Sequence, residues 1–370
     1  MKKIMIMTNG LYGGGAEKIL QTIISHINYK KYDITLYSLH KEKIDPKQYK
    51  GPFHYEYVFG ENSLLVDKIK GWIFNNCPAG LFYFLFIRGK YDVEIAFIEG
   101  ESTKIISGST NLKSKKLAWV HIDLKTNPWT AFLYKNVDEE KKHYRKFDKI
   151  VCVSDAVRDA FIEKFEIEEE RVSTQYNPVD CKKIVELSKK QSGLKIKKCI
   201  RMIAVGRLVP QKGFDRLLRV VNRLKTDGYE FELVIVGEGQ EHEQLQQYID
   251  VNHLGKQVTL LGYKENPYCY MMDSDLLVCS SRAEGFSTVL TEGIILGLPI
   301  VSTECAGVKE LFGDFECGKI VDNDEEELYH ALSNVLKDNS CLKEYKKAAL
   351  ERSKTFSLEK RMEDLEKLFL

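Results

Sequence analysis

Two doubly wound, parallel-sheet (Rossmann-like) α/β domains in series is the fold this sequence predicts, and three observations predict it. Short apolar runs alternate with longer amphipathic stretches along nearly the whole chain, the pattern of parallel strands and covering helices. The alternation lapses once, around Asn177-Pro-Val-Asp180, and then resumes. A length of 370 residues suits two cores, at roughly 100–200 residues per domain.

Lys3 to Met7 reads as the first strand, Gly10-Leu-Tyr-Gly-Gly-Gly15 as a turn, Ala16 to His26 as a helix and Tyr32 to Tyr37 as a second strand, which together open a βαβ unit. Lys43 to Asn76 is weakly patterned. Leu81 to Ile87 is a dense aromatic and aliphatic run that reads either as a core helix or as an amphipathic ridge for a membrane surface. Strands follow at Val93–Phe97, Lys116–Val120 and Lys149–Val153, with helices at Thr130–Lys146 and Asp155–Phe165. Beyond the lapse the strands are Cys199–Val205, Phe231–Val236, Gln257–Leu261, Asp275–Cys279, Pro299–Thr303 and Gly318–Val321. Helices at Gly213–Lys225, Gln240–Val251 and Val289–Leu296 separate them, and three more close the chain. The expected division is therefore an N-terminal domain over 1–180, a charged link over 181–198, a C-terminal domain over 199–353 and a last helix, 354–370, returning toward the first domain. Open α/β sheets bind ligands beyond the carboxyl ends of their strands, which makes the cleft between the domains the expected site.

Composition narrows the class. Nine cysteines are scattered with no C-x-x-C pair, several of them inside apolar strand-like runs, which points to a reducing, cytoplasmic setting. The apolar start of the chain stops at Thr8-Asn9-Gly10, too soon for a signal peptide, and no run approaches the length of a membrane span. Net charge is +1, yet residues 1–150 hold 24 Lys and Arg against 16 Asp and Glu. That excess is either ordinary solvated lysine or a face for an anionic leaflet, with Lys113, Lys115, Lys116, Lys141, Lys142, Arg145 and Lys146 as its cations and a peripheral place on the inner face of the membrane as its consequence. No helix-turn-helix, zinc or RNP pattern accompanies these residues, so nucleic acid is not expected.

The chemistry-bearing motifs fall at strand ends. Glu284-Gly285-Phe286-Ser287-Thr288 lies between the strand Asp275–Cys279 and the next helix, with Ser287 and Thr288 as N-cap types and backbone N–H groups offered to an anion. Glu284 sits at the mouth of that turn and Glu292 about two turns into the helix, so one carboxylate meets each end of an elongated, hydroxyl-rich ligand. Gly206-Arg-Leu-Val-Pro-Gln-Lys-Gly213 follows the first strand of the second domain; Arg207 and Lys212 there suit a diphosphate. Gly237 and Tyr263 end the next two strands and offer a close backbone and a flat face for a base. In the first domain Gly13, Gly14 and Gly15 are either a plain tight turn or a close backbone approach to a phosphate or sugar. Glu17 compensates the helix dipole, and His121 ends a strand as a packed residue or a hydrogen-bond partner of substrate. The glycines do not form the G-x-G-x-x-G fingerprint, which disfavours a nicotinamide enzyme. Asp273-Ser-Asp275 is rejected as a metal motif because Asp273 ends a helix and Asp275 starts a buried strand; no metal is expected.

In order and spacing, Gly-Gly-Ala-Glu17-Lys, Val-Ser154-Asp-Ala-Val, Asn177-Pro-Val-Asp180, Gly206 to Gly213, Val236-Gly-Glu-Gly239 and Glu284-Gly-Phe-Ser with Glu292 resemble the retaining GT-B glycosyltransferases of family 4, which include many bacterial surface-polysaccharide enzymes of capsule and lipopolysaccharide synthesis. The resemblance covers nearly the whole chain. It implies a GT-B architecture and transfer of a hexose or N-acetylhexosamine from a nucleotide sugar, a UDP-sugar foremost, to a glycan or polyprenyl-linked acceptor, with no cofactor. It further implies that Arg207 and Lys212 bind the donor diphosphate, Glu292 the ribose, and Glu284 with the backbone of Gly285 to Ser287 the transferred sugar. Gly14, Gly15 and His121 would come from the other domain, with Glu17 and Asn177 on the acceptor side. A nucleotide-sugar epimerase of similar fold and a non-catalytic partner subunit stay open as alternatives.

Overall fold

The computed structural model describes residues 1–45, 48–60 and 64–370. The chain folds into two compact units, one made of Met1–Pro178 with Glu359–Leu370 and the other of Val179–Leu358.

The first unit is built on a seven-stranded sheet of β1 (Lys2–Thr8), β2 (Tyr32–His40), β3 (His54–Phe59), β4 (Val93–Ala96), β5 (Lys115–Val120), β6 (Lys149–Cys152) and β7 (Val172–Thr174), ordered β3-β2-β1-β4-β5-β6-β7. Every pairing is parallel. β1 and β4 are central, and Ile4 to Met7 are fully buried, as a strand covered on both faces requires. The sheet order reverses between β1 and β4, the kind of switch point at which the loops after neighbouring strands diverge and leave a crevice. Helix α1 (Gly15–His26) starts directly after the glycine turn and buries Ile19, Leu20, Ile23 and Ile24 on one face.

Two strands of this sheet escape the sequence pattern. β3 lies in the stretch that reads as weakly patterned, because as an edge strand its residues are half solvated and polar ones such as His54 and Glu56 are tolerated. β7 has three residues, too few for a period. The single helix expected over 130–146 is two pieces, a 3₁₀ turn at Trp129–Leu133 and a helix at Val137–Tyr144. They are separated at Asn136, whose side chain accepts from Glu139 N at 2.9 Å and starts the second piece.

The dense aromatic run is helix α3 (Ala79–Phe86), preceded by α2 (Leu64–Asn76). Neither reading of it from sequence covers the whole run: Phe82 and Tyr83 are buried, while Leu81, Phe84 and Leu85 are exposed. Phe82 packs against Phe74 of α2 with ring centroids 5.3 Å apart, and Tyr83 Oη donates to Glu94 Oε1 of β4 at 2.9 Å.

The second unit holds a six-stranded parallel sheet of β8 (Ile200–Val205), β9 (Phe231–Val236), β10 (Val258–Leu260), β11 (Leu276–Cys279), β12 (Ile300–Thr303) and β13 (Gly318–Val321), ordered β10-β9-β8-β11-β12-β13. Helix Phe214–Thr226 packs a stripe including Phe214, Leu217, Leu218, Val221 and Leu224 into its core. Residues 181–198 begin with a helix, Cys181–Ser188, capped by Asp180 and held to the second unit by Asn266 Nδ2 donating to Leu187 O at 2.9 Å. At the other end, Lys2 Nζ donates to Phe369 O at 2.9 Å, and Tyr32 meets the Phe369 ring edge-on. No helix of the described residues is long and apolar enough to cross a membrane.

Candidate functional site

The neighbouring carboxyl ends of β8 and β11 define the site of the second unit. The loop after β8, Gly206 to Gly213, and the loop after β11, Ser280 to Ser287, are joined along their length. Arg282 N donates to Gln211 O at 2.7 Å, Gln211 Nε2 to Ala283 O at 2.8 Å and Ser280 Oγ to Lys212 O at 3.1 Å. Arg282 also reaches Pro210 O and Asp215, and this ion pair pulls the Asp215 carboxyl down to about 2. From within, the buried Arg216 guanidinium donates to Ser280 O at 2.8 Å and Ser281 O at 2.6 Å. The loops are therefore fixed before any ligand arrives.

This zipper brings Lys212 and Glu284 together: Lys212 Nζ lies 2.6 Å from Glu284 Oε1, and Ser281 Oγ donates to the same oxygen at 2.6 Å. Burial by itself lowers the Lys212 ammonium; the adjacent Glu284 carboxylate outweighs it and holds the group above its usual value, charged at neutral pH. Arg207 differs. It is exposed, and its side chain makes no ion pair or hydrogen bond among the described residues, so its guanidinium is available to a ligand.

Glycines set how closely that edge can be approached. Gly206 N donates to Val236 O at 3.0 Å and Gly237 N to Gly262 O at 3.0 Å, which continues the β8-β9-β10 ladder one residue past the strands. A Cβ on Gly237 would fall well inside contact of Gly206 O, and one on Gly213, at φ +66°, inside contact of Ser280 O. A Cβ on Gly206 would meet the stem of Lys212 at 3.6 Å. Tyr263, next to Gly262, is 67% exposed.

Ser287 caps helix Thr288–Ile295, its Oγ accepting from Leu290 N, and Gly285 to Ser287 are buried. Glu292 is the fifth residue of that helix, one turn from its start and not two, because the helix begins at Thr288 and the turn before it is held by the cap. Its carboxylate is buried and accepts from Tyr268 Oη at 3.0 Å. Tyr268 carries no sequence signal, since only the fold sets helix Tyr268–Met272 beside helix Thr288–Ile295. Asp273 caps that same short helix, and Asp275 pairs with Lys197 and accepts from Arg201 N, so the D-x-D stretch is structural. Among the described residues no group of three or more His, Cys, Asp or Glu is placed to hold a metal ion.

In the first unit, Gly13 has φ +104°, Gly14 is the N-cap of α1 and Gly15 its first residue. The Glu17 carboxylate lies back over Gly14, where a Cβ would meet it. His121 follows β5, partly buried, with Nε2 2.8 Å from Phe97 O and its ring 4.9 Å from that of Phe97. Burial lowers its pKa to about 4, so at neutral pH it is a neutral imidazole donating Nε2–H to a carbonyl. A ligand would meet Nδ1 as an acceptor, and His121 is thereby unsuited to act as a cation. Asn177 is buried, and its Oδ1 has no hydrogen-bond partner among the described residues.

Sequence reasoning passed over Glu99. It lies just past β4, 3% exposed, with Oε2 accepting from His121 N at 3.0 Å and Oε1 from Trp129 Nε1 at 3.3 Å, while its main-chain oxygen accepts from Asn9 Nδ2 at 3.2 Å. Burial raises its pKa. A carboxylate just beyond a parallel strand's carboxyl end was the available signal. Of the basic residues named from sequence, Lys116 folds back on Ser114 and Asn111, and Lys141 pairs with Glu166, so these charges are spent locally.

Residues 186–352 match the family of glycosyl transferases group 1. The chain is 34% identical over 229 residues to the N-acetylgalactosamine-N,N'-diacetylbacillosaminyl-diphospho-undecaprenol 4-alpha-N-acetylgalactosaminyltransferase of Campylobacter jejuni, an alignment spanning 61% of this chain and 61% of that relative. It is 25% identical over 366 residues to the amylovoran biosynthesis glycosyltransferase AmsD of Erwinia amylovora, covering 97% of each. The crystal structure of Anabaena Alr3699/HepE in complex with UDP and glucose has the same fold, with a TM-score of 0.79 at 17% identity over 99% of both chains. Residues 186–352 thus resemble a glycosyl transferases group 1 domain, in a chain whose two parallel-sheet α/β domains have the GT-B architecture.

Proposed function

We propose that the protein is a retaining glycosyltransferase that moves a hexose or N-acetylhexosamine from a UDP-sugar to a glycan or lipid-linked acceptor in surface-polysaccharide synthesis. One observation carries the reading: the joined loops hold Lys212 against Glu284 beside the free guanidinium of Arg207. The glycine edge and a capped helix start flank this group. Relatives named for transfer to a diphospho-undecaprenol-linked sugar and for amylovoran synthesis, and a structural neighbour that binds UDP and glucose, support it.

In this reading the bond between the anomeric carbon and the β-phosphate oxygen breaks with its electron pair on the phosphate. The acceptor oxygen bonds to the same face of the sugar, and the acceptor proton passes to the leaving phosphate. Negative charge grows between the phosphates and the protein, and there Arg207, Lys212 and the helix start act; loss of one such donor costs on the order of 10²–10³ in rate. Glu284 holds sugar hydroxyls and Glu292 the ribose. On the acceptor side, Glu17, Asn177 and His121 contribute polar contacts, His121 as a neutral acceptor. The two cations supply the positive charge, and transfer is expected to proceed at an unchanged rate in EDTA.

A thermal-shift panel of nucleotide sugars followed by a transfer assay tests the reading. Arg207→Ala and Lys212→Ala should each abolish most turnover in folded protein; near-normal rates in both overturn it. Conversion of donor without acceptor would favour an epimerase instead. Glu292→Ala should weaken free UDP, whereas Glu284→Ala should chiefly slow turnover of the intact donor.

A further inference from the structure

Helices α2 and α3 of the first unit present an apolar ridge that nothing in the transfer reaction uses. On α2, Ile69 and Trp72 are 50% and 61% exposed, and on α3, Leu81, Phe84 and Leu85 form an i, i+3, i+4 stripe with Phe84 69% exposed. Monomeric proteins seldom leave large apolar side chains grouped in this way without a use for them. The stripe is not core turned outward by a slipped helix, because the inner faces are fixed. Phe82 packs on Phe74 and Phe86, Tyr83 is bonded to Glu94, and Lys70 turns inward to Val58 O and the Phe86 ring.

Charge selects the occupant. Residues 64–90 hold four basic side chains against one acidic, and Lys68, Arg88 and Lys90 are exposed beside the ridge. Arg88 and Lys90 follow directly on the C-terminal end of α3, which stops at Phe86 with Ile87 extended. We propose that this ridge docks the protein on an anionic phospholipid leaflet, with Trp72, Phe84 and Leu85 in the headgroup–acyl boundary and Lys68, Arg88 and Lys90 at the phosphates. A second copy of the chain is the poorer fit, since an isologous interface sets the patch against itself and faces these cations with their own equivalents. The inference does not depend on which sugar is transferred, or on transfer at all.

The full-length chain is sedimented with phosphatidylglycerol–phosphatidylethanolamine vesicles and with phosphatidylcholine vesicles, at low and high salt, while tryptophan emission is followed. Trp119 is buried and Trp129 partly buried with its Nε1 bonded to Glu99, whereas Trp72 is exposed, so a blue shift on binding reports chiefly on Trp72. Binding is expected to the anionic vesicles, to weaken with salt, and to fall about tenfold or more in Trp72→Ser/Phe84→Ser. Lys68→Gln/Arg88→Gln/Lys90→Gln should lose the preference for anionic lipid. Trp72→Phe should still sediment but lose most of the blue shift, which separates loss of contact from loss of fold. Three results overturn the proposal: no sedimentation at low salt, undiminished sedimentation of the Ser variant, or a lipid-free dimer that the Ser variant turns into a monomer. Each leaves donor binding measurable by itself, so failure here and failure of the transferase reading are told apart.

Discussion

Lys212→Met is the most informative single change, because it touches stability and transfer through different partners. Lys212 Nζ is 2.6 Å from Glu284 Oε1, with the two side chains only 20% and 9% exposed. Removing the ammonium leaves a buried carboxylate without its counter-charge, which typically costs 3–5 kcal/mol. Ser281 Oγ still donates to the same oxygen at 2.6 Å, so the lower end, about 3 kcal/mol, is the expected loss. Glu284→Gln should cost a similar amount for the converse reason. The double variant removes both charges together, and its loss should fall short of the sum by at least about 1 kcal/mol. Transfer behaves differently: in the proposed mechanism Lys212 acts on the leaving diphosphate, so turnover should drop about 10²- to 10³-fold in Lys212→Met and stay down in the double variant. Urea unfolding read with a transfer assay on the same preparations measures both. Stability losses that simply add, or recovery of transfer in the double variant, would refute the reasoning.

Three further outcomes follow from other contacts. Tyr268→Phe removes the hydrogen bond to Glu292 Oε1; UDP should bind about 5- to 10-fold more weakly, while a 2′,3′-dideoxy analogue should bind both proteins alike, as calorimetry would show. Gly237→Ala puts a Cβ against Gly206 O and should cost about 2–4 kcal/mol in urea unfolding. His121 and His143 are both lowered to about 4 by burial, so between about pH 6.5 and 4 the unfolded chain takes up protons that the folded one refuses, and stability falls as pH falls. Glu99, raised by burial, works in the opposite sense in acid. His121→Asn/His143→Asn should flatten the slope of unfolding free energy between pH 7 and 4; an unchanged slope would show that other groups set it.

The order of elements was legible because parallel strands and amphipathic helices write their periods locally. The strands of the second unit start and stop within a residue or two of where the pattern sets them, and Gly206, Gly237 and Gly262 stand at their ends as read. Ser287 was legible as a cap for the same reason. Where solvent or brevity erased the period, as in β3 and β7, the strand was lost. Where a cap fell inside what reads as one stretch, as Asn136 does at the start of Val137–Tyr144, two elements were merged.

By itself, then, the sequence determined two parallel-sheet domains and which loops carry charge, since both follow from neighbours along the chain. What only the tertiary structure decided is which of those charges meet. Lys212 and Glu284 are 72 positions apart, and they touch because β8 lies beside β11 and the loops beyond them share hydrogen bonds. Tyr268 finds Glu292 across two helices, and Glu99 is covered by His121 and Trp129 from a later loop. Such pairings depend on strand order in a sheet, which no local period encodes, and they turn a cation on one loop and a carboxylate on another into one preset ion pair.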